Sequence, residues 1–424
     1  MREHDRPVTR AWVLHPDLKS DLNRRAAEPA LQEGVSLAAA LPDLQVVGAT
    51  VVRLPRIHPG KLFGKGKIEE LKQVFHDAEV ELVLIDGPVT PVQQRNLEKG
   101  WGVKLLDRTG LILEIFSDRA RTSEGVLQVE MAALSYQRSR LVRAWTHLER
   151  QRGGLGFVGG PGETQIEADR RAIDDQLNHL RKQLAKVVKT RELHRASRAK
   201  VPFPIVALVG YTNAGKSTLF NRLTGARVFA KDMLFATLDP TMRKIVLPAG
   251  DEVIMSDTVG FISDLPTELV AAFRATLEEV LDADLIVHVR DISHPQTDEQ
   301  AADVHAILHS LGVSEEAPIL EVWNKTDLLQ GDDRDAVLTQ AARTEDLFAV
   351  SAITGEGLDP LLAAIPDKLK DPRNEDHLSL PFAEGKKRAW LFEAGIVTDE
   401  VQTETGYDLT VFWTALQKER FARL

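Results

Sequence analysis

The stretch Ile205–Leu219 reads IVALVGYTNAGKSTL and decides the fold around it. Its first five residues are apolar, which predicts a buried strand. Gly210, Gly215, Lys216 and Ser217 then match the pattern G-x-x-x-x-G-K-[ST], in which glycines turn backbone N–H groups toward phosphate. The lysine ammonium can reach phosphate oxygens and the serine hydroxyl can bind Mg²⁺. The sequence therefore predicts a nucleotide site between a strand and a helix. The predicted phosphate-binding residues are Gly210, Tyr211, Thr212, Asn213, Ala214, Gly215, Lys216, Ser217 and Thr218.

Two later segments predict which base is bound. Asn324, Lys325 and Asp327 follow an apolar run, which places them at the carboxyl end of a strand, where open α/β sheets bind ligands. A carboxylate at Asp327 would accept hydrogen bonds from guanine N1–H and N2–H₂, two donors that adenine lacks. After another apolar run, Ser351 and Ala352 would supply a backbone N–H for guanine O6. The pattern favours GTP over ATP.

A third segment, Asp257–Gly260, follows the predicted strand Val253–Met255 and has the pattern D-x-x-G. Asp257 is expected to hold Mg²⁺ through water, and Gly260 to sense the γ-phosphate. Thr237 is the predicted threonine that completes Mg²⁺ coordination, with Thr241 as the alternative. On this side the predicted nucleotide-binding residues are Phe235, Ala236, Thr237, Asp257, Thr258, Val259 and Gly260; the predicted metal ligands are Ser217 and Thr237, and the predicted catalytic residues are Lys216, Thr237 and Gly260.

In order and spacing, these motifs resemble the translation-factor-like GTPases. Ras-like members carry a glutamine after D-x-x-G that orients the attacking water. Here that position is Phe261, which cannot form a side-chain hydrogen bond, so we expect slow intrinsic turnover and acceleration by a partner. Asn213 resembles the asparagine of potassium-activated GTPases, which leaves K⁺ open as a further cofactor beside GTP or GDP and Mg²⁺.

Composition excludes several classes of protein. The chain has 424 residues, 43% of them hydrophobic and 27% charged, which is typical of globular protein with two to four domains. The absence of cysteine excludes disulfides, cysteine-ligated zinc, iron–sulfur clusters and thiol catalysis. The polar start Met1–Arg10 and the lack of a long apolar run predict neither a signal peptide nor a membrane span. We expect a cytoplasmic monomer.

Four regions follow from pattern and charge: an α/β domain (residues 1–116), a helical hairpin (117–200), the P-loop GTPase domain (201–371) and, after the polar linker Asp371–Asp376, a small C-terminal α+β domain (376–424). The first alternates strands and helices, which predicts a mainly parallel sheet. Its predicted strands are Ala11–Leu14, Gln45–Leu54, Leu82–Asp86 and Val103–Asp107, and its predicted helices are Leu31–Leu41, Lys67–Ala78 and Pro91–Lys99. The last region predicts strand, helix, turn, strand and helix.

The hairpin region carries two heptad patterns, which predict antiparallel helices of coiled-coil type. Although the whole chain has a formal charge of −10, Ser117–Lys200 holds 17 Lys and Arg against 10 Asp and Glu. A glycine-rich loop, residues 153–163, forms the predicted tip. The pattern fits either a solvated helical face or an arm that reaches into RNA. The arginines near the tip are Arg138, Arg140, Arg143, Arg150, Arg152, Arg170 and Arg171.

Over nearly its whole length the chain resembles the HflX family of GTPases. The resemblance rests on FGKGKIEEL (Phe63–Leu71), DRTGLILEIFSDRARTSEGVLQVEMAAL (Asp107–Leu134), HLERQRGG (His147–Gly154), GPGETQIEADRR (Gly160–Arg171), GYTNAGKSTLFN and FATLDPT. It implies a GTPase that binds the ribosome, mainly the large subunit and its ribosomal RNA, and splits or rescues ribosomes, with the hairpin tip toward the peptidyl-transferase region.

Two alternatives stay open at this level. The chain could be an ATP- or GTP-regulated RNA-binding or ribosome assembly factor without splitting activity. The turn Gly64–Lys67 before a predicted helix fits either a second phosphate site or a solvated turn.

Overall fold

The computed structural model describes residues 8–20, 25–151, 161–198, 203–226, 234–235, 237–238, 241–263, 280–281, 283–314, 317–369, 374–403, 405–413 and 415–422. The chain divides into two compact units, one of residues 1–246 and 252–360 and one of residues 247–251 and 361–424. No helix in the described ranges is long and apolar enough to cross a membrane. The domain boundaries predicted from the sequence stay predictions.

The N-terminal domain is a four-stranded sheet with the order β2-β1-β3-β4, and every strand pair in it is parallel. Its strands are β1 (Thr9–Leu18), β2 (Leu44–Leu54), β3 (Leu82–Ile85) and β4 (Lys104–Asp107), and its helices are α1 (Ala27–Ala39), α2 (Lys65–Asp77), α3 (Pro91–Trp101) and α4 (Arg108–Arg119). The predicted parallel sheet is confirmed, although β1 is longer than predicted. Helix α1 begins four residues before Leu31 because Pro29 lies in its first turn, where proline is tolerated.

Helix α4 was not predicted from the sequence. Asp107 ends β4 and caps α4 directly, since its Oδ1 accepts from the backbone N–H of Gly110 at 2.9 Å. No loop separates the strand from the helix. Seven of the twelve residues of α4 are buried, and its exposed polar face is narrow, with Glu114, Ser117 and Asp118, so the amphipathic pattern is weak.

The hairpin consists of α5 (Ser123–Gln151) and α6 (Pro161–Arg198), which pack against each other. The heptad prediction is confirmed in the described part of α6, where Leu177 and Leu180 are buried among exposed neighbours. Arg138 of α5 and Asp174 of α6 form an ion pair at 2.8 Å. Residues 153–160 of the predicted tip and the side chains of Arg143, Arg150 and Arg152 lie outside the described part of the chain.

The GTPase domain is a six-stranded sheet with the order β10-β9-β8-β5-β7-β6. Only the edge strand β6 is antiparallel to its neighbour. The strands are β5 (Ile205–Val209), β6 (Thr241–Val246), β7 (Glu252–Asp257), β8 (Leu285–Asp291), β9 (Ile319–Asn324) and β10 (Leu347–Ala349), and the helices are α7 (Lys216–Thr224), α8 (Thr297–Leu311), α9 (Gly331–Arg343) and α10 (Leu358–Leu369), the last of which extends into the second unit. This is the predicted Ras-like α/β fold.

The C-terminal sheet has three antiparallel strands in the order β11-β13-β12. Its elements are β11 (Asn374–Pro381), α11 (Gly385–Glu393), β12 (Val397–Gln402), β13 (Gly406–Trp413) and α12 (Ala415–Ala422). Two expectations were wrong: β11 begins inside the predicted linker, and β12 replaces the predicted turn. The sequence VTDEVQ of β12 has no apolar run because this is a polar edge strand.

Candidate nucleotide-binding site

The phosphate loop connects β5 to α7, and its backbone has the conformation that the glycines permit. Gly210 and Gly215 have φ of 149° and 93°, and Asn213 also has a positive φ of 61°. A Cβ at Gly210 would lie 2.1 Å from the carbonyl oxygen of Val289. At Gly215 a Cβ would lie 2.2 Å from the side-chain nitrogen of Asn324. Glycine is therefore required at both positions by conformation and by space.

Lys216 lies at the N-terminus of α7, with 6% of its surface exposed. Its Nζ donates to the backbone carbonyls of Gly210 at 3.0 Å and Tyr211 at 2.8 Å. Burial lowers the pKa of the ammonium to about 8, and the carboxylate of Asp257 partly opposes that shift. The loop thus holds the buried Lys216 ammonium against its backbone carbonyls. A bound phosphate would provide negative charge that stabilises this buried cation.

Three oxygen-bearing side chains meet beside the loop. The Ser217 hydroxyl donates to Asp257 Oδ2 at 2.7 Å and lies 2.7 Å from Thr237 Oγ1, which also donates to Asp257 Oδ2 at 2.9 Å. The second oxygen of Asp257 is buried without a hydrogen-bond partner. Burial raises the pKa of Asp257, against the effect of both hydroxyls and Lys216. The alternative, Thr241, lies in β6 opposite Asp257.

This group fits a magnesium ion. Mg²⁺ takes oxygen ligands and few protein carboxylates, and the buried Asp257 oxygen is an acceptor that none of the described residues satisfies. Within the described residues no group of three His, Cys, Asp or Glu side chains could hold a metal ion, so a site built mainly from carboxylates or histidines is not present there.

The residues after Asp257 pack tightly on the phosphate loop. Thr258 donates through its hydroxyl to the Leu208 carbonyl at 2.6 Å, and Val259 is buried. A Cβ at Gly260 would lie 2.9 Å from Thr212 Cα and 3.0 Å from Lys216 Nζ, so the position needs glycine. Gly260 therefore lies directly against the phosphate loop, beside Thr212 and Lys216.

The predicted base-binding segments come together at the other end of the site. Asn324 donates through Nδ2 to the Ala214 carbonyl at 2.8 Å and accepts from the Ala352 N–H at 3.0 Å. It therefore connects the phosphate loop to the Ser351–Ala352 segment. The Ala352 N–H that was expected for guanine O6 is engaged by Asn324 in this structure.

Asp327 and Lys325 are also held in place. Asp327 Oδ1 accepts from the Ser351 hydroxyl at 2.6 Å, which leaves its carboxylate half-buried and fixed. Lys325 has a φ of 67° and pairs with Asp291 at 2.7 Å. Of the predicted site residues, Phe235 is buried beside Thr237, Thr218 is half-buried in α7 and Asn213 is exposed, while Ala236 lies outside the described residues.

Sequence reasoning missed one part of the site. Tyr211 is in the phosphate loop, yet its hydroxyl donates to Glu33 of the N-terminal domain and lies 2.7 Å from Ser263 Oγ. Arg108 of the same domain donates to the Ser263 carbonyl at 2.9 Å. The sequence signal for Arg108 is DRTGLILEIF (Asp107–Phe116), which is part of the resemblance to the HflX family.

The GTPase domain has a parallel sheet with one antiparallel edge strand and a phosphate loop at its centre. It also has a serine–threonine–aspartate group and an Asn-Lys-x-Asp segment. Together these features define a P-loop GTPase of Ras-like topology. Four family models cover the chain. They are the GTP-binding GTPase N-terminal region at residues 28–117, the GTP-binding GTPase middle region at 119–198, the 50S ribosome-binding GTPase at 205–325 and the HflX C-terminal domain at 336–423.

Relatives cover nearly the whole chain. GTPase HflX of Magnetococcus marinus is 45% identical over 97% of this chain and 94% of its own length. GTPase HflX of Escherichia coli is 43% identical over 89% of this chain and 87% of its own length. The crystal structure of a GTP-binding protein from Sulfolobus solfataricus in complex with GDP is 22% identical, with a TM-score of 0.46, over 85% of this chain and 98% of that chain. The chain belongs to the HflX family of GTPases, and the predicted enzyme class, a GTP hydrolase, is confirmed.

Proposed function

We propose that this protein binds the ribosome, mainly its large subunit, through the helical hairpin, and that it uses GTP binding and hydrolysis to split or rescue ribosomes in the cytoplasm. Family membership supports the ribosome as partner, since the model matching residues 205–325 describes a 50S ribosome-binding GTPase. The excess of basic residues in Ser117–Lys200 supports ribosomal RNA as the surface bound.

The observation that carries the proposal is the position of Asn324. It joins Ala214 of the phosphate loop to Ala352 of the base segment, so the two ends of one nucleotide site are connected by a single side chain. Asp327, held by Ser351, supports guanine as the base because its carboxylate would pair with N1–H and N2–H₂. GTP and GDP are accordingly the nucleotides proposed.

Ser217 and Thr237 are proposed to bind Mg²⁺ directly, with Asp257 beside them through water. When bound, Mg²⁺ neutralises charge that develops on the transferring phosphoryl group. Lys216 would add a positive charge at the β- and γ-phosphates from beneath the loop. Gly260 would place its backbone N–H against the γ-phosphate, since no side chain separates it from Thr212 and Lys216.

Phe261 supports activation by the partner. Its side chain is buried, with 1% of its surface exposed, and cannot orient an attacking water. Basal hydrolysis is then slow, and ribosome binding supplies the missing orientation. The exposed Asn213 extends the proposal to K⁺: turnover in potassium chloride is expected to exceed turnover in sodium chloride at equal ionic strength.

The test is co-sedimentation of the protein with 70S ribosomes and with separated subunits, in GDP and in a non-hydrolysable GTP analogue. Binding to the large subunit that is stronger with the analogue, and that weakens steeply with added salt, is expected. Light scattering of 70S ribosomes with GTP then measures splitting. Binding without splitting would favour an RNA-binding or assembly factor, and no nucleotide-dependent binding would contradict the proposal.

A further inference from the structure

A buried charge cluster lies at the carboxyl edge of the N-terminal sheet. Arg108, the first residue of α4, has 4% of its surface exposed and donates to Asp86 and, at 2.6 Å, to Glu33. His15 of β1 contacts the other oxygen of Asp86 at 2.8 Å. Burying an ion costs several kcal/mol unless its partners are well placed, so these contacts hold the guanidinium in one position.

The same guanidinium reaches the GTPase domain. Arg108 Nη2 donates to the backbone carbonyl of Ser263, three residues after Gly260, at 2.9 Å. Glu33 accepts from the Tyr211 hydroxyl, and that hydroxyl accepts from the Ser263 N–H at 2.8 Å. Ser263 and Tyr211 are therefore held by side chains of the N-terminal domain.

The segment Phe261–Ser263 is bound on its opposite side by the phosphate loop. The Phe261 N–H donates to the Gly210 carbonyl at 3.1 Å, and the Phe261 carbonyl accepts from the Thr212 N–H at 2.6 Å. The segment thus lies between the loop that would hold the phosphates and the cluster around Arg108. Moving Arg108 would move the backbone that follows Gly260.

Helix α4 also contacts the residues before Thr237. The ring of Phe116, near the end of α4, packs edge-on against Phe235 with a centroid separation of 4.6 Å. Phe235 is buried and precedes Thr237 by two residues. One helix of the N-terminal domain therefore contacts both segments that respond to a γ-phosphate in P-loop GTPases.

Asp107, the neighbour of Arg108 along the chain, holds the hairpin. It accepts from the Tyr136 hydroxyl at 2.5 Å and from Arg140 at 3.0 Å, and both of these residues belong to α5. Arg140 also donates to Gln94 of α3. Adjacent residues thus hold helix α5 and the segment Phe261–Ser263.

We infer that the dipeptide Asp107–Arg108 couples the hairpin to the nucleotide site, with Arg108 as the positioning residue for Phe261–Ser263 and Asp107 as its connection to α5. The inference rests on the proposed function for the identity of the hairpin's partner. A ribosome that shifts α5 would shift Asp107, and with it the start of α4 and the backbone next to Gly260. The segment that follows Gly260 is the two-state element that both sites would bias.

The first test replaces Arg108 with lysine, which keeps the charge and loses the planar fork that binds Asp86, Glu33 and Ser263 together. Basal kcat is expected to fall about tenfold, since misplacement of positioning groups costs turnover. GDP affinity should stay within about twofold because GDP has no γ-phosphate for this segment to contact. Arg119→Lys is the matched control, since Arg119 lies on the same helix and donates to the Ala40 carbonyl inside the N-terminal domain.

Tyr211→Phe keeps the inference testable if Arg108→Lys does not fold. It removes one hydroxyl and its contacts with Glu33 and Ser263, and it should lower kcat in the same direction with GDP affinity unchanged. A purely structural role predicts lower melting temperatures for both variants with wild-type kcat. That result would overturn the positioning role.

The second test replaces Tyr136 with phenylalanine, which removes the hydroxyl that donates to Asp107 and accepts from Arg140. Basal turnover should stay within about twofold, and stimulation by ribosomes should fall at least fivefold. Gln137→Ala, an exposed position next along α5, should keep full stimulation. In the double variant Arg108→Lys/Tyr136→Phe the two losses of stimulation should not add, which is the mark of coupled residues.

Wild-type stimulation in Tyr136→Phe, or additive losses in the double variant, would overturn the coupling. Failure of the proposed function has a different signature: the wild-type protein itself would show no stimulation by ribosomes. The basal measurement on Arg108→Lys would then still decide whether Arg108 positions Phe261–Ser263.

Discussion

At the base end of the nucleotide site, Asn324, Asp327 and Ser351 bond to neighbours within the GTPase domain, whereas at the phosphate end Tyr211 and Ser263 bond to side chains of the N-terminal domain. The two ends also differ in charge. The base end has a half-buried carboxylate held by a hydroxyl, while the phosphate end lies against a cluster of two carboxylates (Glu33 and Asp86), two arginines (Arg25 and Arg108) and His15.

This difference in contacts separates the residues proposed to recognise the base from the residues proposed to regulate hydrolysis. The residues proposed to bind the base contact one another within one domain, so base recognition should survive changes elsewhere in the chain. The residues proposed to respond to the γ-phosphate are contacted by two domains, so a change that moves the N-terminal domain should change hydrolysis. Four changes test this division, beginning with the largest expected effect.

Lys216→Ala should lower turnover by at least about 10³-fold, because it removes the positive charge placed beneath the phosphates. The fold should persist, since the carbonyls of Gly210 and Tyr211 lose only one donor. Single-turnover hydrolysis with the melting temperature measured alongside is the check, with Lys244→Ala, a half-exposed lysine of β6, as control. Near-normal turnover would place the phosphates elsewhere.

Asp327→Asn should weaken GTP binding about 10²- to 10³-fold, since two hydrogen bonds to a charged acceptor are lost. Xanthosine triphosphate should gain affinity, because the amide donates where xanthine has an additional oxygen. Competition binding with the two nucleotides measures the exchange. The base end is independent of the N-terminal domain only if Arg108→Lys keeps the wild-type preference for GTP over xanthosine triphosphate.

Asp86→Asn should lower the free energy of unfolding by about 3 kcal/mol, because Arg108 stays buried with one carboxylate fewer. Its neighbours lower the pKa of Asp86 to about 2 from an ordinary 3.8. The wild-type stabilisation from this group is therefore complete above about pH 4 and is lost as the pH falls toward 2, by about 2 kcal/mol.

Urea unfolding at pH 7, 4 and 2.5 checks both statements about Asp86. The asparagine variant should lack that part of the acid sensitivity, and the exposed Asp118→Asn should behave as wild type. A variant that keeps wild-type stability at pH 7 would mean that the cluster does not depend on Asp86. Guanine preference should be unchanged in either protein.

Ser351→Ala is the smallest change. Removing the hydroxyl that donates to Asp327 Oδ1 leaves the carboxylate in place with more freedom, which should weaken GTP and GDP binding equally, about fivefold, or about 1 kcal/mol. Equilibrium binding of both nucleotides is the measurement. A larger loss of affinity for GTP than for GDP would show that the base end responds to the γ-phosphate, which would contradict the independence of the two ends of the site.

The base end and the phosphate loop could be predicted from the sequence because each is a short motif at the end of an apolar strand. The same reasoning missed Arg108, Glu33 and Ser263, which lie far apart in sequence. Arg108 and Glu33 meet within the N-terminal domain, and Ser263 meets them only when the GTPase domain packs against it. Helix α4 was missed because it follows β4 without a loop and has only a narrow polar face. Strand β12 could not be predicted from the sequence because it is an edge strand without alternating apolar residues.

The burial of Phe261 restricts how this enzyme could evolve. In Ras-like GTPases a glutamine at this position orients the attacking water. Here a glutamine would take its amide into an apolar core that Phe261 shares with Phe235 and Phe116, at a cost of about 1–3 kcal/mol for the unpaired group. Selection for faster unaided hydrolysis through a glutamine at this position would therefore act against stability, so the packing would preserve the proposed dependence on an external activator across generations.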